Sequence, residues 1–116
     1  MITIKGYRSV FFDVDNTLVM WPKGCDPFTK WHERAIEIGG YYLVPHVHHV
    51  NLIKNLKEAS DFAIIVWSQG GFVWAEMVVK ALGLEAYVDA CVDKPFRYYD
   101  DLPCEQFMGE RSYILE

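Results

Sequence analysis

Residues 9–18 read Ser-Val-Phe-Phe-Asp-Val-Asp-Asn-Thr-Leu, and this stretch decides the fold. The run that opens with Ser9 is rich in aromatic and β-branched residues, which predicts a short strand covered on both faces. The strand stops at two acidic residues, Asp13 and Asp15. Because a turn after a buried strand can aim both carboxylates into one crevice, we expect a functional site at this strand end.

Four further apolar runs along the chain predict a sheet. Residues 62–67 form the second strand, and two glycines soon afterwards mark its end. Residues 87–92 form a third predicted strand, and residues 96–99 form a shorter fourth. Residues 112–115 are the candidate for a fifth strand.

Helical periodicity fills the intervals between these strands. It predicts one helix over residues 45–59, with Pro45 in its first turn, and a second over residues 72–82, with Gly83 taking the left-handed position after it. A weaker pattern predicts a short helix over residues 28–38. Alternating strands and helices are typical of a parallel sheet, because parallel neighbours need a long return connection. We therefore predict an α/β fold with a three-layer Rossmann-like parallel sheet of about five strands and helices on both faces.

Composition favours one globular domain over residues 1–116. The 116 residues are 52% hydrophobic and 23% charged, a length that suits one domain rather than two. The net charge of -5 argues against a broad basic surface, so any nucleic-acid contact should be local. No apolar run reaches the roughly 18 residues of a membrane span and no signal peptide is evident, so we expect a cytoplasmic protein without a membrane partner. Three cysteines without a Cys-x-x-Cys pair argue against a disulfide framework or a zinc ribbon.

The acidic pair after the first strand points to a metal and to group transfer. In open parallel sheets a ligand binds outside the carboxyl ends of the strands. Two carboxylates held there repel each other and need a cation, and an oxygen-rich site suits Mg²⁺. One carboxylate, held ionised by the metal, can then act as a nucleophile, while the second, further from the metal, can exchange a proton as general acid and base. The alternative interpretation is that these residues form only a polar turn.

Residues 11–18, Phe-Phe-Asp-Val-Asp-Asn-Thr-Leu, resemble the first motif of the haloacid dehalogenase (HAD) superfamily, a buried strand that ends in Asp-x-Asp-x-Thr. The resemblance implies that Asp13 attacks phosphorus to form an aspartyl-phosphate. It implies that Asp15 protonates the leaving group, then activates water, and offers its main-chain carbonyl to the metal. An aspartate at this second position favours phosphate ester hydrolysis over dehalogenase or phosphonatase chemistry.

The second and third family motifs have counterparts in the expected order. Ser68 ends the second predicted strand and corresponds to the Ser or Thr that binds the phosphoryl group, together with main-chain amides at the next helix N-terminus. Gln69, beside it, is included among the phosphate-binding candidates. Lys94 and Lys80 are the candidates for the lysine that neutralises the phosphoryl group and the nucleophile. Lys94 is preferred because it follows a predicted strand and begins a Lys-Pro dipeptide typical of this superfamily.

Asp100 and Asp101 resemble the acidic fourth motif of the family. They follow the apolar residues 96–99, and either or both would complete the Mg²⁺ shell with Asp13 and Asp15. The alternative is a solvated acidic turn.

Residues 16–44 are predicted to form the flap and a minimal cap, because this segment is too short for a separate cap domain. The site should be relatively open. The resemblance links an open site to a bulky phosphorylated substrate, such as a nucleic-acid end or a phosphoprotein, or to a cap from another subunit of a homo-oligomer. Trp21 and Trp31 lie in this segment and are the better candidates for ligand contact, whereas Trp67 and Trp74 are predicted to be core residues.

The main hypothesis is a Mg²⁺-dependent phosphohydrolase, a phosphomonoesterase that works through an aspartyl-phosphate on Asp13 and that takes a phosphorylated substrate, a nucleotide or nucleic-acid end among the candidates. Two alternatives stay open: an inactive HAD-like module that binds Mg²⁺ and a phosphorylated ligand, and a phosphotransferase. His46 and His49, three residues apart, suggest either a soft-metal pair or, more simply, surface or capping residues.

Overall fold

The computed structural model describes residues 8–59 and 62–109. They form an α/β fold with a three-stranded parallel sheet, a three-stranded antiparallel sheet and two α-helices. In chain order the elements are β1 (Ser9–Asp13), β2 (Val19–Met20), β3 (Ile36–Ile38), β4 (Tyr41–Pro45), α1 (Val47–Ala59), β5 (Ala63–Ser68), α2 (Phe72–Ala81), β6 (Ala90–Asp93) and a 3₁₀ turn (Cys104–Gln106).

The parallel sheet has the strand order β1-β5-β6. Asp13 at the end of β1 is in register with Trp67, and the next residue, Ser68, is in register with Asp93 at the end of β6. The carboxyl ends of all three strands are therefore level. This alignment places the residues that follow each strand at one edge of the sheet, as predicted for a ligand site.

The two faces of the parallel sheet differ in burial. Along β5 the residues alternate strictly, with Ile64 and Val66 fully buried and Ile65 and Trp67 only partly buried. On the partly buried face, Phe11 of β1 is 39% exposed. Helices α1 and α2 both contribute buried residues to the single core on the other face. Within the described residues, therefore, the predicted three layers with helices on both faces are not found.

Two predicted elements are wrong, and one lies outside the described part of the chain. Residues 96–99 form no strand, and all four are exposed. Residues 28–38 form no helix, because their last three residues belong to strand β3. Gly39 and Gly40 connect β3 to β4 with φ angles of 61° and 91°, the two positive values that a two-residue hairpin turn requires. Residues 112–115, the candidate fifth strand, lie outside the described residues.

The other predicted elements are confirmed with small shifts of their bounds. Helix α1 begins two residues after Pro45, and β6 begins three residues after the predicted start of its strand. Gly83 follows helix α2 with a φ of 68°, the left-handed conformation expected there. The three cysteines are free, and none of the helices in residues 8–59 and 62–109 is long and apolar enough to cross a membrane.

The antiparallel sheet, with the strand order β2-β4-β3, falls within residues 19–45 and so covers most of the segment predicted to form the flap; it is called the flap below. It shares one continuous core with the parallel sheet. Leu18, just before β2, and Leu43, within β4, are fully buried. They belong to the same cluster as Ile64 of β5 and Val78 of α2. Burying one such leucine contributes about 1.5 to 3 kcal/mol, so the flap is an integral part of the fold.

Candidate active site

Three of the residues that the sequence singled out meet at the level strand ends. Lys94 Nζ lies 3.6 Å from Asp13 Oδ1, and both side chains are about one-third exposed (34% each). The main-chain N–H of Lys94 donates to the carbonyl of Ser68 at 2.9 Å. The end of β1, the end of β5 and the residue after β6 are thus joined by direct contacts. A carboxylate and an ammonium group that remain open to solvent suit the binding of an anion.

The turn after β1 gives Asp13 its orientation. Asn16 has a φ of 59°, a left-handed conformation that asparagine tolerates better than most residues. The main-chain N–H groups of Thr17 and Leu18 both donate to the carbonyl of Val14, which closes the turn. The Thr17 hydroxyl then donates to Asp13 Oδ2 at 3.3 Å. Both carboxylate oxygens of Asp13 therefore have a defined neighbour, Thr17 on one side and Lys94 on the other.

Two buried histidines support this turn from helix α1. His46 and His49 are each 6% exposed, and their rings stack with centroids 4.0 Å apart. The main-chain N–H of His49 donates to His46 Nδ1 at 3.2 Å, so His46 caps the helix, as one of the alternatives predicted. His49 Nδ1 lies 2.8 Å from the carbonyl of Thr17. The pair is buried rather than on the surface, and it connects α1 to the turn after β1.

Asp15 is bound by two tryptophans from different parts of the fold. Trp21 follows β2 in the flap, and its indole N–H donates to Asp15 Oδ1 at 2.8 Å. Trp74 lies in the first turns of α2, and its indole N–H donates to the same oxygen at 3.1 Å. The tryptophan rings are 6.4 Å apart between centroids. The sequence interpretation placed Trp21 near the crevice and Trp74 in the core but did not connect either with Asp15.

Ser68 organises the start of helix α2. It is 1% exposed, and its Oγ accepts a hydrogen bond from the main-chain N–H of Gly70 at 3.0 Å. Its carbonyl accepts from Gly71 at 3.1 Å. Ser68 is therefore buried where a substrate-binding role was predicted. Its hydroxyl hydrogen is still available for donation, because these contacts use only acceptor positions.

The N-terminus of α2 carries a carboxylate that the sequence interpretation missed. Asp93 Oδ1, at the end of β6, accepts from the main-chain N–H of Phe72 at 2.6 Å. A negative group there is stabilised by the helix dipole. Main-chain amides at this helix start were expected to face a phosphoryl group, but that of Phe72 is paired with the protein's own carboxylate.

Lys94 is held by an aromatic ring as well as by its backbone. Its Nζ lies 5.8 Å from the ring centroid of Trp67, a distance suited to a cation–π contact. Trp67 also packs on Phe11 with centroids 4.5 Å apart. Lys80, the other lysine considered, is exposed on α2. The structure thus brings Lys94, and not Lys80, into contact with Asp13.

The acidic pair at residues 100–101 is not joined to the first strand. Asp100 and Asp101 are exposed, and Asp100 Oδ1 accepts from the main-chain N–H of Leu102 at 2.9 Å. That bond, with a further contribution from Asp101, holds the pKa of the Asp100 carboxyl below its ordinary value. Gln69 is also exposed, in the turn between β5 and α2.

The donor chemistry at the end of β1 fits Mg²⁺, because Asp13 and Asp15 supply hard oxygen ligands. In the part of the chain that the structure describes, however, no three His, Cys, Asp or Glu side chains form a group that could hold a metal ion. The ligands expected from Asp100 and Asp101 are therefore not assembled with those of the first strand.

A separate groove of about 440 Å³ lies between α2 and β6, away from these residues. Its lining includes Val73, Glu76, Met77, Cys91 and Lys80, the lysine that was not preferred, and none of the residues at the strand ends. Burial, reinforced by the nearby Glu76 charge, raises the pKa of the Cys91 thiol. The oppositely charged side chains of Asp13 and Lys94 converge at the strand ends and not in this groove.

Comparisons with protein-family models, curated proteins and solved structures found no match to this chain.

Proposed function

We propose that this protein is a phosphohydrolase that cleaves phosphate monoesters through an aspartyl-phosphate on Asp13. The contact between Asp13 Oδ1 and Lys94 Nζ, at 3.6 Å, is the observation that carries the proposal. An accessible carboxylate beside an ammonium group can approach an anionic phosphoryl group, which an isolated carboxylate would repel. The HAD resemblance of residues 11–18 supplies the specific chemistry.

The nucleophilic step follows from the neighbours of Asp13. One of its carboxylate oxygens attacks phosphorus while Lys94 offsets the negative charge of the phosphoryl oxygens. Thr17 donates to Asp13 Oδ2 at 3.3 Å and limits rotation of the carboxylate. The P–O bond to the leaving group breaks, and the leaving oxygen takes a proton from Asp15.

Asp15 completes the reaction as general base. It removes a proton from the water that attacks the aspartyl-phosphate, which regenerates Asp13 and releases phosphate. Ser68 is proposed to orient the phosphoryl group through its hydroxyl, and Gln69 lies beside it for a second contact. The Ser68 contact requires movement of the turn at residues 68–71, because Ser68 is 1% exposed, whereas Gln69 is already exposed.

We propose Mg²⁺ as the cofactor, held by Asp13, by the main-chain carbonyl of Asp15, and by Asp100 or Asp101. When bound, the ion supplies positive charge that screens the carboxylates from the phosphoryl oxygens. Assembly of this metal site needs Asp100 or Asp101, both exposed, to move toward the strand ends, where Lys94 already lies. Because the proposed reaction depends on Mg²⁺, activity should disappear on chelation and return with added Mg²⁺.

Two other functions share the same residues. An inactive module would bind Mg²⁺ and a phosphorylated ligand without releasing phosphate, and a phosphotransferase would pass the phosphoryl group to an acceptor other than water. The short flap favours a bulky substrate, a nucleotide or nucleic-acid end among them, or a cap from a second copy of the chain. Phosphohydrolase activity is preferred because Asp15 can serve both proton transfers that hydrolysis needs.

The test is phosphate release from a panel of aryl phosphates, mononucleotides, sugar phosphates and 3′-phosphorylated oligonucleotides, with Mg²⁺ and with a chelator. We expect Mg²⁺-dependent turnover that Asp13→Asn abolishes while the fold, followed by circular dichroism, is unchanged. Glu58→Gln, the same chemical change on an exposed residue of α1, is the matched control.

Turnover that persists in Asp13→Asn would refute the assignment of Asp13 as the nucleophile. Phosphate binding without turnover would favour the inactive module, and faster turnover with added alcohols would favour the phosphotransferase.

A further inference from the structure

Two tryptophans donate hydrogen bonds to the same oxygen of Asp15. Trp21 Nε1 and Trp74 Nε1 lie 2.8 Å and 3.1 Å from Asp15 Oδ1. Within the described residues, both hydrogen bonds that the Asp15 carboxylate accepts are made by Oδ1. An indole N–H is only a donor, so Oδ1 must act as an acceptor toward both rings.

This geometry holds in both protonation states of Asp15. In the ionised state Oδ1 accepts two hydrogen bonds. In the neutral acid the carbonyl oxygen accepts and the hydroxyl oxygen donates. A proton placed on Oδ1 would face two N–H donors, so the neutral acid keeps its proton on Oδ2.

Both indoles are held independently of Asp15. Trp21 packs on Tyr41, with ring centroids 4.9 Å apart, and its main-chain N–H donates to Asn16 Oδ1 at 3.1 Å. Trp74 also contacts Tyr41, at 6.1 Å between centroids. Because the rings are fixed by packing, they can orient the carboxylate rather than follow it.

We propose that Trp21 and Trp74 are positioning residues that direct the Asp15 proton to Oδ2, the oxygen that serves the leaving group and then the attacking water. This inference rests on the proposed phosphohydrolase function. Each tryptophan acts through Asp15 and touches no reacting atom. The flap and helix α2 each supply one of the two donors, so the proton-transfer geometry depends on their docking.

The kinetic test uses Trp21→Phe and Trp74→Phe, which keep an aromatic ring but remove the N–H donor. General acid catalysis matters most when the leaving group is poor, as in alkyl phosphates, and least for p-nitrophenyl phosphate. We expect each variant to lose roughly tenfold in kcat on an alkyl phosphate, a fraction of the full general-acid effect, and about threefold or less on p-nitrophenyl phosphate.

The control is Tyr42→Phe, which likewise keeps an aromatic ring and removes a polar hydrogen, on strand β4 of the flap. It should keep the wild-type ratio of the two rates. A purely structural role for Trp21 and Trp74 predicts equal losses on both substrates, and that result would overturn the inference.

A second measurement does not depend on activity. The ¹⁵N–¹H signals of the Trp21 and Trp74 indoles should both move in Asp15→Ala, while those of Trp31 and Trp67 stay in place. If neither signal moves, the contacts to Asp15 do not exist and the inference fails. A wild type without phosphatase activity would instead overturn the proposed function, and with it the proton assignment, whatever the indole signals show.

Discussion

Lys94 reaches across strand β5 to bring its Nζ within 3.6 Å of Asp13 Oδ1. The two strands that carry these residues are not neighbours, and two strand spacings amount to roughly 10 Å. The contact is possible because Lys94 is the first residue after β6 and its long side chain extends along the strand ends. One charge from each outer strand of the parallel sheet thus meets above the middle strand.

The first prediction concerns the charge of Lys94. Lys94→Met keeps most of the side-chain volume but removes the ammonium group, so kcat/KM on an aryl phosphate should fall by about 10² to 10³-fold. Lys94→Arg should recover part of this loss. Steady-state kinetics on folded variants provide the measurement. If Lys80→Met loses activity while Lys94→Met stays active, the lysine assignment is wrong.

The second prediction concerns the Asp93 carboxylate at the end of β6, which accepts a hydrogen bond from the N-terminus of helix α2. Asp93→Asn keeps an acceptor for the Phe72 N–H but removes a negative charge from the side of the sheet that should bind phosphate. We expect KM for a phosphate monoester to fall by about two- to tenfold, since a repulsive charge is lost. The free energy of unfolding should drop by about 0.3 to 1 kcal/mol, because the charge no longer complements the helix dipole.

Asp93→Ala is the companion variant. It removes the acceptor as well and should cost about 0.5 to 2 kcal/mol, as the loss of a helix cap does. Urea unfolding and initial-rate kinetics together separate the two effects. An unchanged KM in both variants would show that the Asp93 charge does not reach the phosphate site.

The third prediction is a pH dependence of stability. Lys57 Nζ lies 2.7 Å from both oxygens of Asp89, and Asp89 Oδ2 also accepts from the Ile64 N–H at 2.7 Å. The hydrogen bond from Lys57, then that from Ile64, lowers the pKa of Asp89 below its ordinary value of 3.8. The folded state therefore favours the ionised carboxylate. This contribution is fully present above the unfolded-state pKa and is lost as the pH falls through the lower, folded-state value.

Asp89→Asn tests this dependence by urea unfolding. Since the side chains of Lys57 and Asp89 are 31% and 39% exposed, the ion pair should be worth only about 0.2 to 1 kcal/mol at neutral pH. The difference between wild type and variant should shrink below about pH 4. A difference that is constant with pH would contradict the role of the charge.

The fourth prediction uses the glycine pair of the flap hairpin. Gly39 and Gly40 both have positive φ, so an alanine at either costs about 1 to 2 kcal/mol in backbone strain. At Gly39 the added Cβ would also lie 2.9 Å from Met77 Cε and 3.3 Å from the Trp74 ring, whereas at Gly40 it meets nothing within 4 Å.

We therefore expect Gly39→Ala to be the more destabilising variant and to shift the Trp74 indole signal, with Gly40→Ala as the matched control. Thermal unfolding and ¹⁵N–¹H spectra measure the two effects. Equal destabilisation by both variants would mean that Met77 and Trp74 yield to the added methyl group, and that the flap is not seated tightly on α2.

Local patterns predicted the parallel part of the fold. The buried strand at residues 9–13, the strand at residues 63–68 and both helices follow from apolar periodicity and from turn residues such as Gly83. The weak helical pattern over residues 28–38 failed because the hairpin turn at the two glycines, and pairing with β4, outweighed local preference. The prediction over residues 96–99 failed because an apolar run becomes a strand only where a neighbouring strand pairs with it.

The sequence by itself determined the position of Asp13 at a strand end and the order in which Ser68 and Lys94 follow it. Chain order and strand patterns are enough for that, since parallel strands end at the same edge. Only the tertiary structure decided the hydrogen-bond partners. Asp93 accepts from the first amide of helix α2, and Asp15 accepts from Trp21 and Trp74. The contact of Asp93 with Phe72 joins residues 21 positions apart, and those of Asp15 with Trp21 and Trp74 join residues 6 and 59 positions apart. No local sequence pattern predicts which of these residues meet. They depend on how the flap and α2 pack around one shared core.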